Sequence, residues 1–398
     1  MTKLWWQDRA AITGIGQTEY SRGLDRSEWD MAAEAIFKAI DDAGLKPEEI
    51  DGLSTYNLQH EGFNNYMHQL LGLGNMSYYV SQPHGGGGYA STLAHGALGV
   101  ASGHCNHLVA FRARARGRKS IFGPGMNEGG RPWEKVEPRL PTGWQYHVPF
   151  GLQSPVQEAA TITRRYMHDY GWTEDHLGNV AVALRTHGSR NPNAVMRAPM
   201  TLEDHNSSRM ISDPLRLLDC CIETDGACAV VVSTMDYAKS APHPPAVFHA
   251  FTQSNQPAHY QLTEWWHSKR WNREVTGANL GKRLFAQSDF KHDDISALMV
   301  YDHFTSFAIL SIEDLGFCGR GEGGAFTEGG ALIAPNGRLP INTHGGQHSE
   351  AFIHGFNNVI EAVRQIRGVS TSQVPDARAV VVIEALTDPC GAFILRSN

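Results

Sequence analysis

Between Tyr78 and Phe111 the chain runs strand, glycine-rich turn, helix, strand. Tyr78-Tyr-Val-Ser-Gln has the composition of a short strand, and Pro83-His-Gly-Gly-Gly-Gly-Tyr-Ala-Ser is a tight turn. Leu93, Ala94, Ala97, Val100 and Ala101 then recur at helical spacing, and His107-Leu-Val-Ala-Phe is again a strand. Two strands joined through a helix pair in parallel with a right-handed crossover. That unit points to an α/β architecture with parallel pairing.

The flanking segments extend the same order. Arg9 to Gly16 reads as a strand, Ser27 as the N-cap of a helix through about Asp42, and Gly52-Leu-Ser-Thr-Tyr as a further strand. Asp225-Gly-Ala-Cys-Ala-Val-Val-Val-Ser closes this series. Pro242-His-Pro-Pro then marks a boundary, predicting an N-terminal half over 1–242 and a C-terminal half over 243–398. The second series has strands at 246–251, 297–301 and 379–383 and a last strand from Gly391, with helices near 276–288 and 304–314. Both halves share a strand–helix–strand order, so an internal duplication is expected, without a close sequence repeat. Residues 113–152 are irregular and rich in Arg, Gly and Pro, as a functional loop region would be.

At 398 residues the chain can bury a large core, and 41% apolar with 19% charged residues is the balance of a globular protein. A net charge of -7 argues against nucleic acid as the partner. No apolar run reaches the ~18–20 residues of a membrane helix, and the N-terminus shows no secretory pattern. Six Cys with no CxxC read as reduced thiols, so a cytoplasmic location is expected.

Four stretches carry chemistry. Leu339 to Gly355 packs His344, His348, His354, Glu350, Asn342, Gly345 and Gly346 ahead of a helical pattern that starts at Ser349 and runs through Phe352, Ile353, Phe356 and Val359. A polar loop feeding a helix start suits a developing negative charge. A metal site at His344 and His348 is disfavoured by the intervening Gly345-Gly346 and the lack of HExxH; proton-transfer groups or plain packing are the alternatives. Gly85-x-Gly87-x-x-Ala90 has dinucleotide-fingerprint spacing but lacks the following acidic residue, which leaves close packing or a ligand-facing backbone at Gly86 and Gly87. Tyr301-Asp302-His-Phe follows a buried strand, where open α/β sheets place ligands. The basic run from Arg112 to Lys119 could meet phosphates or simply be solvated. Cys220, Cys221 and Cys228 read as core, and Cys390 as a thiol in an exposed turn before Gly391.

Taken in order, these motifs resemble the thiolase superfamily. Ile12-Thr-Gly-Ile-Gly-Gln-Thr-Glu-Tyr, Asp225-Gly-Ala, Tyr301-Asp-His-Phe, Glu313-Asp-Leu-Gly-Phe-Cys, Asn342-Thr-His-Gly-Gly with Gly355, and the terminal Gly391-Ala carry the likeness along essentially the whole chain. It is similar in particular to the lipid-transfer-protein branch that includes steroid side-chain aldolases. The resemblance implies a duplicated βαβαβαββ core in α-β-α-β-α layers, a loop domain near 113–210 and a homodimer. It also implies a coenzyme A thioester as substrate, no cofactor in this chain, and a small OB-fold/zinc-ribbon partner (DUF35-type) that would hold any zinc.

The departures from thiolases direct the function. The nucleophilic Cys should fall near Gly86, the catalytic His at Phe352 and the second Cys near Leu386. Acyl transfer through a thioester needs that nucleophile. Retro-aldol cleavage of a β-hydroxyacyl-CoA does not: it needs proton transfer and a held enolate. The resemblance assigns the chemistry to Tyr301, with a second tyrosine expected where Phe352 stands. Asp302, His344, His348 and Glu350 are the further catalytic candidates, and Gly86, Gly87, Asn342 and Gly391 the candidates for holding the thioester. The competing expectations are a thiolase using Cys390 and a non-catalytic acyl-CoA-binding subunit.

Overall fold

Two glycines let the first helix lie on the first strand. A Cβ at Gly14 would stand 2.1 Å from the Ala39 carbonyl oxygen, and one at Gly16 2.1 Å from that of Ala35. Strand β1 (Ala10–Gln17) therefore receives helix α1 (Glu28–Asp42) at backbone distance, and the helix face buried there is Ala32, Ala35, Ile36, Ala39 and Ile40. Ser27 caps the helix by accepting from the Asp30 amide at 3.1 Å. The computed structural model describes residues 4–56, 68–82, 88–116, 150–152, 154–254, 278–386 and 390–398.

β2 (Gly52–Tyr56), β3 (Tyr78–Gln82), α2 (Tyr89–Ala101) and β4 (His107–Arg114) follow in the predicted order. Helices α3 (Pro155–Tyr170) and α4 (Glu174–Arg190), the hairpin strands β5 (Met210–Ser212) and β6 (Leu215–Arg216), and β7 (Gly226–Thr234) come next. The second series is β8 (Ala246–Ser254), α5 (Ala278–Ala286), β9 (Ala297–Met299), α6 (Thr305–Asp314), α7 (Gly346–Ser349), α8 (Phe356–Arg367), β10 (Ala379–Ile383) and β11 (Cys390–Arg396).

Among the described residues the main sheet has the order β3-β2-β4-β7-β1-β8-β11-β10-β9. Outward from the β1–β8 seam, the first series pairs β1–β7 and β7–β4 antiparallel, then β4–β2 and β2–β3 parallel. The second pairs β8–β11 and β11–β10 antiparallel, then β10–β9 parallel, and Leu298 of β9 bridges Ile341 in parallel. The two series have the same pairing pattern, with the fifth strand of the second reduced to that one bridge. The core is duplicated, as the motif order implied.

The hydrophobic clusters give the layers. Leu93, Ala97 and Val100 of α2 and Val359, Ile360 and Val363 of α8 share one cluster with Val230 and Val232 of β7 and Phe393 and Leu395 of β11. Both helices thus lie between the two sheet halves. Met31 and Ile36 of α1 cover the outer face of the first half, against Val109, Phe111 and Val231. Ile162 of α3, Leu184 of α4, Leu284 of α5 and Phe307 of α6 cover that of the second, against Val381 and Ile394. The result is α-β-α-β-α, with the two sheet layers joined through β1 and β8.

One boundary differs from the sequence reading. The helical pattern was expected to begin at Ser349, but α8 starts at Phe356. His354 (φ 51) and Gly355 (φ 79) are left-handed and break the chain there. Phe352 and Ile353 consequently precede the helix, with Ile353 in the core and Phe352 half-buried against it.

Candidate active site

The turn after β9, the start of α2 and the turn before α8 converge on Tyr301. Its side chain is only 6% exposed. The ring stacks on Tyr89 with centroids 6.2 Å apart and planes at 30°, and it is flanked by His303 at 4.9 Å and Phe352 at 6.4 Å. Tyr89 is itself fixed. Its hydroxyl donates to the Ile383 carbonyl at 2.6 Å and accepts from Asn358 Nδ2 at 3.2 Å, while Asn358 Nδ2 also donates to the Val300 carbonyl at 2.6 Å. Burial raises the Tyr301 phenol well above its ordinary pKa; Cys221 and Tyr56 add to the rise, and Arg116 and Arg112 oppose it.

Arg112, at the end of β4, forms the other wall. It is 2% exposed, and its guanidinium lies 5.3 Å from the Tyr56 ring centroid. Nη1 donates to the Tyr56 carbonyl at 3.3 Å and Nη2 to His354 Nδ1 at 3.0 Å. The Tyr56 hydroxyl donates to the His354 carbonyl at 3.1 Å. Neither Arg112 nor His354 was among the residues singled out for catalysis, because 242 positions separate them in the chain.

The five residues predicted for catalysis fall in separate places. Asp302, next to Tyr301, is committed to α7: its carboxylate accepts from the Gln347 amide at 2.9 Å and from Gln347 Nε2 at 3.3 Å, and burial pushes its pKa up to about 7. His344 and Glu350 belong to a buried network of their own. Glu350 accepts from Asn191 Nδ2 at 3.0 Å and Asn357 Nδ2 at 2.9 Å, and Asn357 Nδ2 lies 3.2 Å from His344 Nε2. Burial pushes Glu350 up to about 7 against the opposing charge of Arg364, and holds His344 well below the usual imidazole range, where Arg364 adds to the fall. His348 sits against Asp302, with Nδ1 3.3 Å from the Leu218 carbonyl oxygen, and burial lowers its pKa to about 4.

Of the residues predicted to hold the thioester, Gly86 and Gly87 lie outside the described residues. Asn342 (φ 40) spends its amide on Val300, accepting from that N–H at 2.8 Å and donating to that carbonyl at 3.0 Å. Gly391 makes room for two polar neighbours: a Cβ there would stand 2.3 Å from Ser91 Oγ and 2.9 Å from Glu384 Oε1. Cys390 was expected in an exposed turn. It is fully buried as the first residue of β11, where strand pairing with β8 draws it inward. Cys221, read as plain core, lines a cavity.

Glu384 is a residue that pattern reading missed. It follows the apolar run Ala379–Ile383 and caps α2, accepting from the Ser91 amide at 2.9 Å and Ser91 Oγ at 2.6 Å. The helix start that would suit an external anion thus already faces the chain's own carboxyl group. Burial pushes this carboxyl from 4.5 up to about 7. Over that window the folded chain keeps a proton that the unfolded chain releases. The associated stability is complete below 4.5 and lost as pH rises to about 7. Glu384→Gln does not titrate, so the stability of the natural chain relative to this variant is expected to fall by about 3 kcal/mol across the window. Urea unfolding of both proteins at the two ends of the window measures this, and a constant difference would refute it.

A cavity of about 430 Å³ opens beside α4, its wall including Arg22, Arg185, Met196, Leu217, Cys221 and His348. Cys221 connects it to the tyrosine: its amide donates to the His303 carbonyl at 3.0 Å, and its thiol is within electrostatic range of the Tyr301 phenol. Most of its lining side chains are apolar, and Arg22, Arg185 and Glu223 are its charged groups. Among the described residues, no group of three or more His, Cys, Asp or Glu side chains is placed to hold a metal ion, and no helix is long and apolar enough to cross a membrane.

A family model for the thiolase C-terminal domain-like fold matches residues 264–385. A steroid side-chain-cleaving aldolase from Thermomonospora curvata is 40% identical over 394 residues, 98% of each chain. The chain belongs to the thiolase superfamily, in its steroid side-chain aldolase branch. A second member of the branch, the 17-hydroxy-3-oxo-4-pregnene-20-carboxyl-CoA lyase of Mycobacterium tuberculosis, is 39% identical over 97% of this chain and 99% of that protein. The solved Ltp2-ChsH2(DUF35) aldolase superposes with a TM-score of 0.90 at 36% identity, covering 99% of both chains. The Phe352 ring lies 6.4 Å from that of Tyr301, with the planes at 59°.

Proposed function

We propose that this chain is the catalytic subunit of a retro-aldolase cleaving the Cα–Cβ bond of a β-hydroxyacyl-CoA with a steroid-like acyl group. The observation that carries the reading is Tyr301: a buried phenol, ring-locked on Tyr89, beside Phe352 where a thiolase would place its histidine. The names of the relatives supply the substrate class. The acyl-CoA enters through the cavity lined by Met196, Leu217 and Cys221.

The raised pKa keeps Tyr301 neutral at rest, and a neutral phenol both donates and accepts. Its oxygen takes the proton of the β-hydroxyl while its own proton passes to Cα. The C–O bond becomes C=O, and the Cα–Cβ electron pair ends in the new Cα–H bond. Charge developing on the thioester oxygen as the bond breaks is met by hydrogen-bond donors. No proton is gained or lost overall, so a second tyrosine at position 352 is not required. In this scheme Asp302, Asn342, His344 and Glu350 shape the loop that carries Phe352, Gly391 makes room for Ser91 and Glu384 at the start of α2, and His348 faces the incoming thioester.

The working assembly is a homodimer with a DUF35-type partner carrying an OB-fold and a zinc ribbon. The name of the Ltp2-ChsH2(DUF35) aldolase supports such a partner. The test is to purify the chain with a DUF35-type protein and incubate the complex with 17-hydroxy-3-oxo-4-pregnene-20-carboxyl-CoA. Release of a steroid ketone and a short acyl-CoA is expected. Tight binding without cleavage would instead identify an acyl-CoA-binding subunit. A thiolase reading through Cys390 is disfavoured by the burial of that residue.

A further inference from the structure

We infer that His354 is the donor that holds the thioester oxygen during cleavage, through the N–H on Nε2. This rests on the aldolase reading above and adds a catalytic residue to it. Arginine has no acceptor, so at 3.0 Å the Arg112 Nη2 donates and His354 Nδ1 accepts. In a neutral imidazole the single hydrogen is then on Nε2. The ring is held neutral, because burial and the charges of Arg112 and Arg116 keep it well below its ordinary pKa. No described residue accepts from Nε2.

The backbone points to the same conclusion. His354 sits at φ 51, a left-handed conformation that a residue with a Cβ adopts at a cost of ~1–3 kcal/mol. The Tyr56 hydroxyl on its carbonyl and Arg112 on its ring hold it there. Its ring stands edge-on to Phe352 at 5.0 Å, and Phe352 lies 6.4 Å from Tyr301. The donor therefore borders the pocket where the phenol acts. A fixed, neutral N–H lowers the energy of a developing oxyanion without reorganising or giving up its proton.

The test uses the chain with its DUF35-type partner and the steroid β-hydroxyacyl-CoA. His354→Gly removes the donor, and glycine accepts the left-handed backbone, so the variant is expected to fold. We expect kcat to fall by ~10²–10³-fold with KM within a few-fold. Added imidazole is expected to restore part of kcat, whereas 1-methylimidazole, which has no N–H, does not. A His354→Gly complex as fast as the natural one overturns the inference, as does equal rescue by both imidazoles. If the natural complex itself shows no cleavage, the aldolase reading fails instead. His354→Asn, which tolerates the same backbone and keeps an N–H, is expected to retain more activity than the glycine variant.

Discussion

Tyr301→Phe is expected to lower kcat for side-chain cleavage by ~10²–10⁴-fold, the range spanned by a positioned proton-transfer group. The substitution removes one oxygen and keeps the ring. The stacking on Tyr89 and the contact with Phe352 persist, and no described residue hydrogen-bonds the Tyr301 hydroxyl. The unfolding temperature should therefore stay close to that of the natural chain. Because the oxygen both gives and takes a proton in the proposed relay, its loss should act on kcat far more than on KM. Following ketone release from 17-hydroxy-3-oxo-4-pregnene-20-carboxyl-CoA measures the effect. Unchanged turnover would remove Tyr301 from the chemistry and with it the reading of this site.

How much of this was legible beforehand depends on the distance over which a signal has to act. Local signals were clear. The βαβ order, the Ser27 cap and the strand before Tyr301 are written in runs of a few residues, and all appear where expected. The duplication was harder to read, because the fifth strand of the second series is a single bridge at Ile341 and has no periodicity to detect. The helix start moved from Ser349 to Phe356 because an apolar run cannot announce a left-handed pair such as His354-Gly355. The site was the least legible part. Its polar contacts join Arg112 to His354, Ser91 to Glu384 and Tyr56 to His354, across 242, 293 and 298 positions. Histidine-rich composition drew attention to the loop before α8 for a sound reason. It could not separate His344, committed to Glu350 and Asn357, from His354, which faces Phe352.

Gly355→Ala is expected to disable the same site from the backbone side. Gly355 has φ 79, so any Cβ is strained there by ~1–2 kcal/mol. The added atom would also stand 2.3 Å from Tyr89 Cε1 and 2.8 Å from Tyr301 Cδ2. Neither ring can yield without cost: Tyr89 is tied by its hydroxyl to Ile383 and Asn358, and Tyr301 leans on Tyr89. Together, strain and overpacking should lower stability by ~2–4 kcal/mol. Displacing the phenol by about 1 Å should cost on the order of 10²-fold in kcat. Gly368, at the other end of the same helix, separates the two effects. It has φ 73 and nothing within 4 Å of its would-be Cβ. Gly368→Ala should therefore carry the backbone strain alone, destabilising by ~1–2 kcal/mol with kcat intact. Denaturant midpoints and kcat of the two variants, measured side by side, decide the matter. If Gly355→Ala behaves like Gly368→Ala in both, the packing of Tyr89 on Tyr301 does not position the catalytic phenol.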